Sequence, residues 1–130
     1  MPITVNVHRT KPTVVFWEFA GRWTWDEVYQ AQDSSNATIA QHDAPAVVIC
    51  KAIDNIADRQ MPEKSLLHFR KLVERANAHT ILNVIVVDSY LWRSITKMGI
   101  ALSPIGKVAL ASTDDEALRM AEQAFANHTP

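Results

Sequence analysis

Arg22, Trp25, Asp54, Asn55, Asp58, Asp88, Ser89, Tyr90 and Trp92 are the side chains of this sequence best equipped to bind something. They fall in three short stretches, GRWTW, DNIADRQM and DSYLW, with STDD (Ser112–Asp115) as a fourth polar stretch further on. Two chemistries are on offer. Helix starts within such stretches present unpaired N–H groups to an anion, with Arg22 and Arg59 offsetting the aspartates. Trp25, Tyr90 and Trp92 can instead wall an apolar pocket of the kind small molecules occupy. Each group also has an ordinary role. Aspartate or serine at a helix start caps the helix, and tryptophans close the end of a core or make an interface. For the aromatic residues, pocket, interface and core closure all stay open.

Catalysis finds less support. Asp54 and Asp88 end two successive apolar runs, as acids do in phospho-receiver domains. The early run ends WEFAGR without an acidic pair, however, and Lys107 opens a run rather than ending one, so that reading is rejected. His8, His42, His68, His79 and His128 show no metal-ligand spacing. Ser89 lacks the small neighbours of a nucleophile turn and reads as a cap for a following helix. Three glycines cannot build a phosphate-cradling loop. Cys50 is the single cysteine, set inside AVVIC, where an inert buried thiol is expected. No catalytic residue, metal or cofactor is expected.

The elements that must position these residues follow from hydrophobic periodicity. ITVNVH (Ile3–His8) alternates like a strand with one wet face, and TVVFWEFA (Thr13–Ala20) is rich in β-branched and aromatic residues. RTKP between them suits a short hairpin. A helix is expected from Trp25 to Gln41, with Trp25, Val28, Gln32, Ser35 and Ile39 along a thin apolar stripe and its middle exposed. APAVVICKAI and ILNVIVVD (Ile81–Asp88) are continuous apolar runs, as in strands covered on both faces. A second helix is expected from Pro62 to about RANAH, with Leu66, Phe69, Val73 and Ala76 on one face. A third spans Tyr90 to Gly99, KVALA (Lys107–Ala111) is a last strand, and Thr113 with Glu116 caps a closing helix. The order ββαβαβαβα implies one α/β domain over residues 1–130. Its sheet is mostly parallel, with an antiparallel N-terminal edge strand and covering helices. The four polar stretches then meet at the carboxyl edge of the sheet, where ligands of open parallel sheets sit.

Bulk properties narrow the partners. The chain has 130 residues, 48% hydrophobic and 21% charged, with a net charge of −1. A domain of this size buries a core without disulfides or metals. Without a basic footprint, nucleic acid is not an expected partner. No apolar run approaches the roughly 20 residues of a membrane span, and MPITVNVHRT has no positive leader and apolar core. A cytoplasmic protein with no membrane contact is the expectation.

The element order and the run from Phe19 to Thr24, F-x-G-x-W-T, resemble the STAS domain, the fold of bacterial anti-sigma-factor antagonists. The chain also looks like the loosely related STAS-like proteins that open with GRWTWDE. The topology match spans nearly the whole chain, while the motif match is confined to that opening. The resemblance implies a non-enzymatic regulatory module that works through a protein partner or a second copy of itself. Classical antagonists carry a DSSG-type signature whose serine is phosphorylated at a helix start. Here the corresponding stretch is IDNIADRQMPEKSLLHF, and Ser65 is the nearest candidate, about three residues inside the expected helix. The phospho-switch is therefore not expected to carry over. The alternative function is a small-molecule-binding domain for an apolar or lipid-like ligand, walled by Trp25, Tyr90 and Trp92.

Overall fold

The computed structural model describes residues 2–54, 57, 64–87 and 107–128, leaving aside the side chains of Ser65 and Leu66. Within them the chain forms β1 (Ile3–Val7), β2 (Val14–Phe19), α1 (Trp25–Ala40), β3 (Ala46–Ala52), α2 (Ser65–Arg75), β4 (Thr80–Val86), β5 (Val108–Ala111) and α3 (Asp114–Asn127). The five strands lie side by side in sequence order. β1 runs antiparallel to β2, as the short RTKP connection requires, and the other neighbours are parallel. The described elements run ββαβαββα, and the helix expected at Tyr90–Gly99 lies outside the described residues.

Right-handed crossovers between successive neighbouring strands put their helices on one face of the sheet. α1 and α2 share such a face. It is built on Ile3, Val15, Trp17, Val48 and Ala46, with Phe69 and Leu72 of α2 packed against it. α3 covers the opposite face over Val14, Val47, Ile49, Val84 and Ala111, contributing Ala117 and Ala121. The alternation of β2 divides its residues between the two clusters: Val15 and Trp17 to one, Val14 and Phe16 to the other.

Two expectations about the helices are corrected. The middle of α1 is not exposed on its stripe, since Gln32 is 3% and Ser35 0% exposed. Gln32 is buried because α2 lies across that part of the helix. Gln32 Nε2 donates to the Leu72 carbonyl (2.7 Å), Asn36 Nδ2 donates to the Arg75 carbonyl (3.1 Å), and Arg75 pairs with Asp33 (2.7 Å). α2 begins at Ser65 rather than Pro62. Lys64 sits at φ 61°, ψ 35°, a left-handed conformation that a right-handed helix cannot contain. Ser65 is thus the first helical residue, not a residue one turn inside.

The helix starts follow the sequence closely. Thr24 and Glu27 form the reciprocal capping box of α1: the Glu27 N–H donates to Thr24 Oγ1 (3.3 Å) and the Thr24 N–H to Glu27 Oε1 (3.0 Å). At α3 the Glu116 N–H donates to Thr113 Oγ1 (3.1 Å), while Glu116 Oε2 accepts from the Ser112 N–H (3.1 Å), one residue before the cap. Among the described residues no helix is long and apolar enough to cross a membrane.

Candidate functional site

The turn from β2 into α1 builds the site. Gly21 adopts φ +64°, which a residue with a Cβ reaches only under strain. This turn brings Trp23 back over the sheet, where it is 3% exposed, just ahead of the Thr24 cap. Trp25, the first helical residue, is 9% exposed and packs edge-on against Trp23 (centroids 5.1 Å, 87°). The aromatic series continues in both directions. Phe19 meets Trp23 edge-on at 5.2 Å, and Trp25 stacks on His68 (4.8 Å, 19°) and meets Phe69 edge-on at 5.9 Å. Edge-on and stacked contacts at these separations are the favoured geometries of aromatic pairs.

Behind this wall lies a cavity of about 50 Å³, lined by Trp17, Phe19, Trp23, Trp25, Cys50 and Phe69 among other, mainly apolar residues. Phe19, Ala52 and Val86, the last residues of β2, β3 and β4, all border it, so it opens at the carboxyl edge of the sheet. Trp17 and Cys50 face each other across the β2–β3 ladder. Cys50 retains some exposed surface as a residue, yet packing around its sulfur pushes the thiol up to about 12. Lys51 borders the cavity too, but its ammonium lies on the other face of the sheet, 3.0 Å from Asp114 and 5.3 Å from the centre of the Phe16 ring.

His68 ties α2 to α1. Its Nδ1 is 2.6 Å from the Tyr29 hydroxyl, and the Arg75 guanidinium lies over the Tyr29 ring at 4.6 Å. Loss of solvent around His68, with smaller effects from Lys71 and Lys64 that outweigh Asp26, holds its pKa below the ordinary 6.5. Burial is likewise the main cause of the raised Tyr29 hydroxyl pKa, opposed by Arg75.

The sequence-derived candidates separate clearly. Trp25 stands in the cavity wall. Arg22 is exposed and makes no hydrogen bond or ion pair among the described residues. Asp54 is a clip between two loops: Oδ2 accepts the Gly21 N–H (2.8 Å) and Oδ1 the Ala57 N–H (2.7 Å). Asn55, Asp58, Asp88, Ser89, Tyr90 and Trp92 lie outside the described residues, as does the Ser65 side chain. Trp17, Cys50, Phe69 and His68 were not among the candidates. Their signal was present: Trp17 falls on the same strand face as Val15, and Phe69 sits on the apolar stripe of α2. Among the described residues no group of three or more His, Cys, Asp or Glu side chains is placed to hold a metal ion.

The clip is testable. In Asp54→Asn only one oxygen still accepts, so the Gly21 or the Ala57 amide loses its partner. The variant should lose about 1–2 kcal/mol, between the worth of an ordinary hydrogen bond and that of one to a charged group. Hydrogen exchange at that one amide should quicken. Unchanged protection at both amides would show that Asp54 does not hold the turn.

No family model matches the chain, and it matches no curated protein and no solved structure.

Proposed function

We propose that this chain is a non-enzymatic binding domain of STAS-like build whose ligand is a small, largely apolar molecule held at the carboxyl edge of the sheet. The observation that supports the reading is the aromatic-walled cavity bordered by the ends of β2, β3 and β4. Concave, aromatic-lined sites at the ends of parallel strands are where small molecules bind in α/β proteins. The antiparallel first strand and the parallel remainder agree with a STAS-like build. A fold hosts many activities, so the site and not the topology supports the function. Cys50, which lines the cavity, is held as a thiol by burial, which supports binding without covalent chemistry.

The test is proton–nitrogen correlation NMR with uncharged apolar probes such as methyl butyl ketone and short branched alkenes. Shifts should cluster on Trp23, Trp25, Cys50 and Phe69, and Trp25→Phe should weaken them. A chain whose spectrum no apolar probe changes is not such a domain.

A second reading, a regulatory contact with a protein partner or a second copy, is supported by two exposed apolar side chains. Ile53, one residue past β3, is 56% exposed, and Leu67, in the first turn of α2, is 48% exposed. Singly exposed apolar residues are common, so the pair is modest support. Sedimentation of the wild type and of Leu67→Asp decides the self-association form. A concentration-dependent dimer lost in the variant supports it, and a monomer at every concentration removes it.

A further inference from the structure

Trp17 and Trp23 are 5% and 3% exposed, and neither indole N–H has a hydrogen-bond partner among the described residues. A buried N–H left without an acceptor is unfavourable by the full loss of its hydration, and native structures rarely tolerate it without a reason. Two such groups belong to residues that line the same cavity. They come from different elements, one from the middle of β2 and one from the loop before α1, and only the fold brings them to a common wall.

The rest of the lining defines what can satisfy them. No acidic side chain borders the cavity among the residues described, so a cation finds no counter-charge there. The Lys51 ammonium is held by Asp114 across the sheet, so an anion finds none either. The Cys50 thiol is uncharged at neutral pH. Water or an alcohol would accept from an indole but bring O–H donors of its own into walls whose side chains are mainly apolar. An oxygen that only accepts has no such difficulty. We propose that the cavity takes an uncharged molecule with an acceptor-only oxygen, a ketone, ester or similar carbonyl, which the indole N–H groups of Trp17 and Trp23 hold.

Size sharpens the class. About 50 Å³ is roughly a third of the ~150 Å³ apolar cavity that admits benzene. The cavity holds the carbonyl end of the ligand, and any longer apolar tail runs out past Trp25 and Phe69. A carbonyl oxygen has two lone pairs, so it can accept from two N–H donors at once.

The inference rests on the binding reading above, and the experiment separates the two. Methyl butyl ketone is compared with the alkene of the same shape in which a methylene group replaces the carbonyl oxygen. Indole N–H resonances of the wild type, assigned by Trp17→Phe and Trp23→Phe, are followed during each titration. The ketone should move both resonances downfield, and the alkene should move neither in that sense. Each Trp→Phe change should weaken the ketone about tenfold, the worth of one net hydrogen bond, and leave the alkene nearly unaffected. Comparing the two ligands in each variant cancels packing changes that both feel. If ketone and alkene bind alike with no downfield shift, the donor role is overturned while the apolar site stands. A shift of only one resonance overturns the two-donor arrangement. If neither ligand binds, the binding reading falls together with the inference. Should a Phe variant fail to fold, the wild-type indole resonances are assigned by their proton–proton NOEs, and their downfield shifts still decide.

Discussion

Trp25→Ala is expected to destabilise the protein by about 3–5 kcal/mol, the range for deleting a buried aromatic side chain. The indole is 9% exposed and contacts three other rings, Trp23, His68 and Phe69, that come from the preceding loop and from α2. Its removal therefore leaves a hole between two helices rather than a dent in one. A domain of this length has a net stability of roughly 6–20 kcal/mol at 0.05–0.15 kcal/mol per residue. The loss is thus a substantial fraction of the total. Trp25→Phe keeps a ring against His68 and should lose only about 1–2 kcal/mol, as substitutions that preserve most of the packed volume do. Urea titrations measure both variants, with the midpoint falling at unchanged slope. If Trp25→Ala stays within about 1 kcal/mol of the wild type, far below the usual price of such a cavity, the indole does not wall a packed site. The capping box is untouched by either change, since Thr24 and Glu27 supply its bonds.

What the sequence revealed and what it hid divide along a physical line. Local signals were legible. The Thr24–Glu27 box, the turn at Gly21, the hairpin between β1 and β2 and the α/β alternation depend on residues a few positions apart. The cavity depends on register and helix rotation, which short-range patterns do not specify. Trp17 lies beside Cys50 only because β3 pairs with β2 in a particular parallel register. His68 meets Trp25 and Tyr29 only because α2 turns that side towards α1. Gln32 is polar yet buried on the stripe of α1, where its amide reaches the Leu72 carbonyl of α2. Asp54 illustrates a different obstacle. A carboxylate waiting for a ligand and one already receiving two backbone N–H groups have the same letter in the sequence, and only the geometry separates them. Arg22 and Trp25, neighbours in the opening stretch, end on opposite sides of that distinction: one is exposed to solvent, the other built into a wall.

The native Cys50 thiol should react with a small alkylating agent about 100- to 1,000-fold more slowly than in urea. The thiolate is the reactive form. Burial moves the thiol from the ordinary 9.0 to about 12, so the ionised fraction at any pH well below 9 falls about a thousandfold. Because Cys50 is the only cysteine in the chain, mass spectrometry after iodoacetamide treatment reads this one site without ambiguity. The rate should follow the pH of the solution up to and beyond pH 9, where an ordinary thiol would level off. Cys50 borders the same cavity as Trp25. Trp25→Ala should therefore speed the native reaction by admitting both water and reagent, even under conditions where the variant remains fully folded. A native rate within tenfold of the unfolded one would mean that the sulfur already faces solvent and is not packed behind the tryptophans as described.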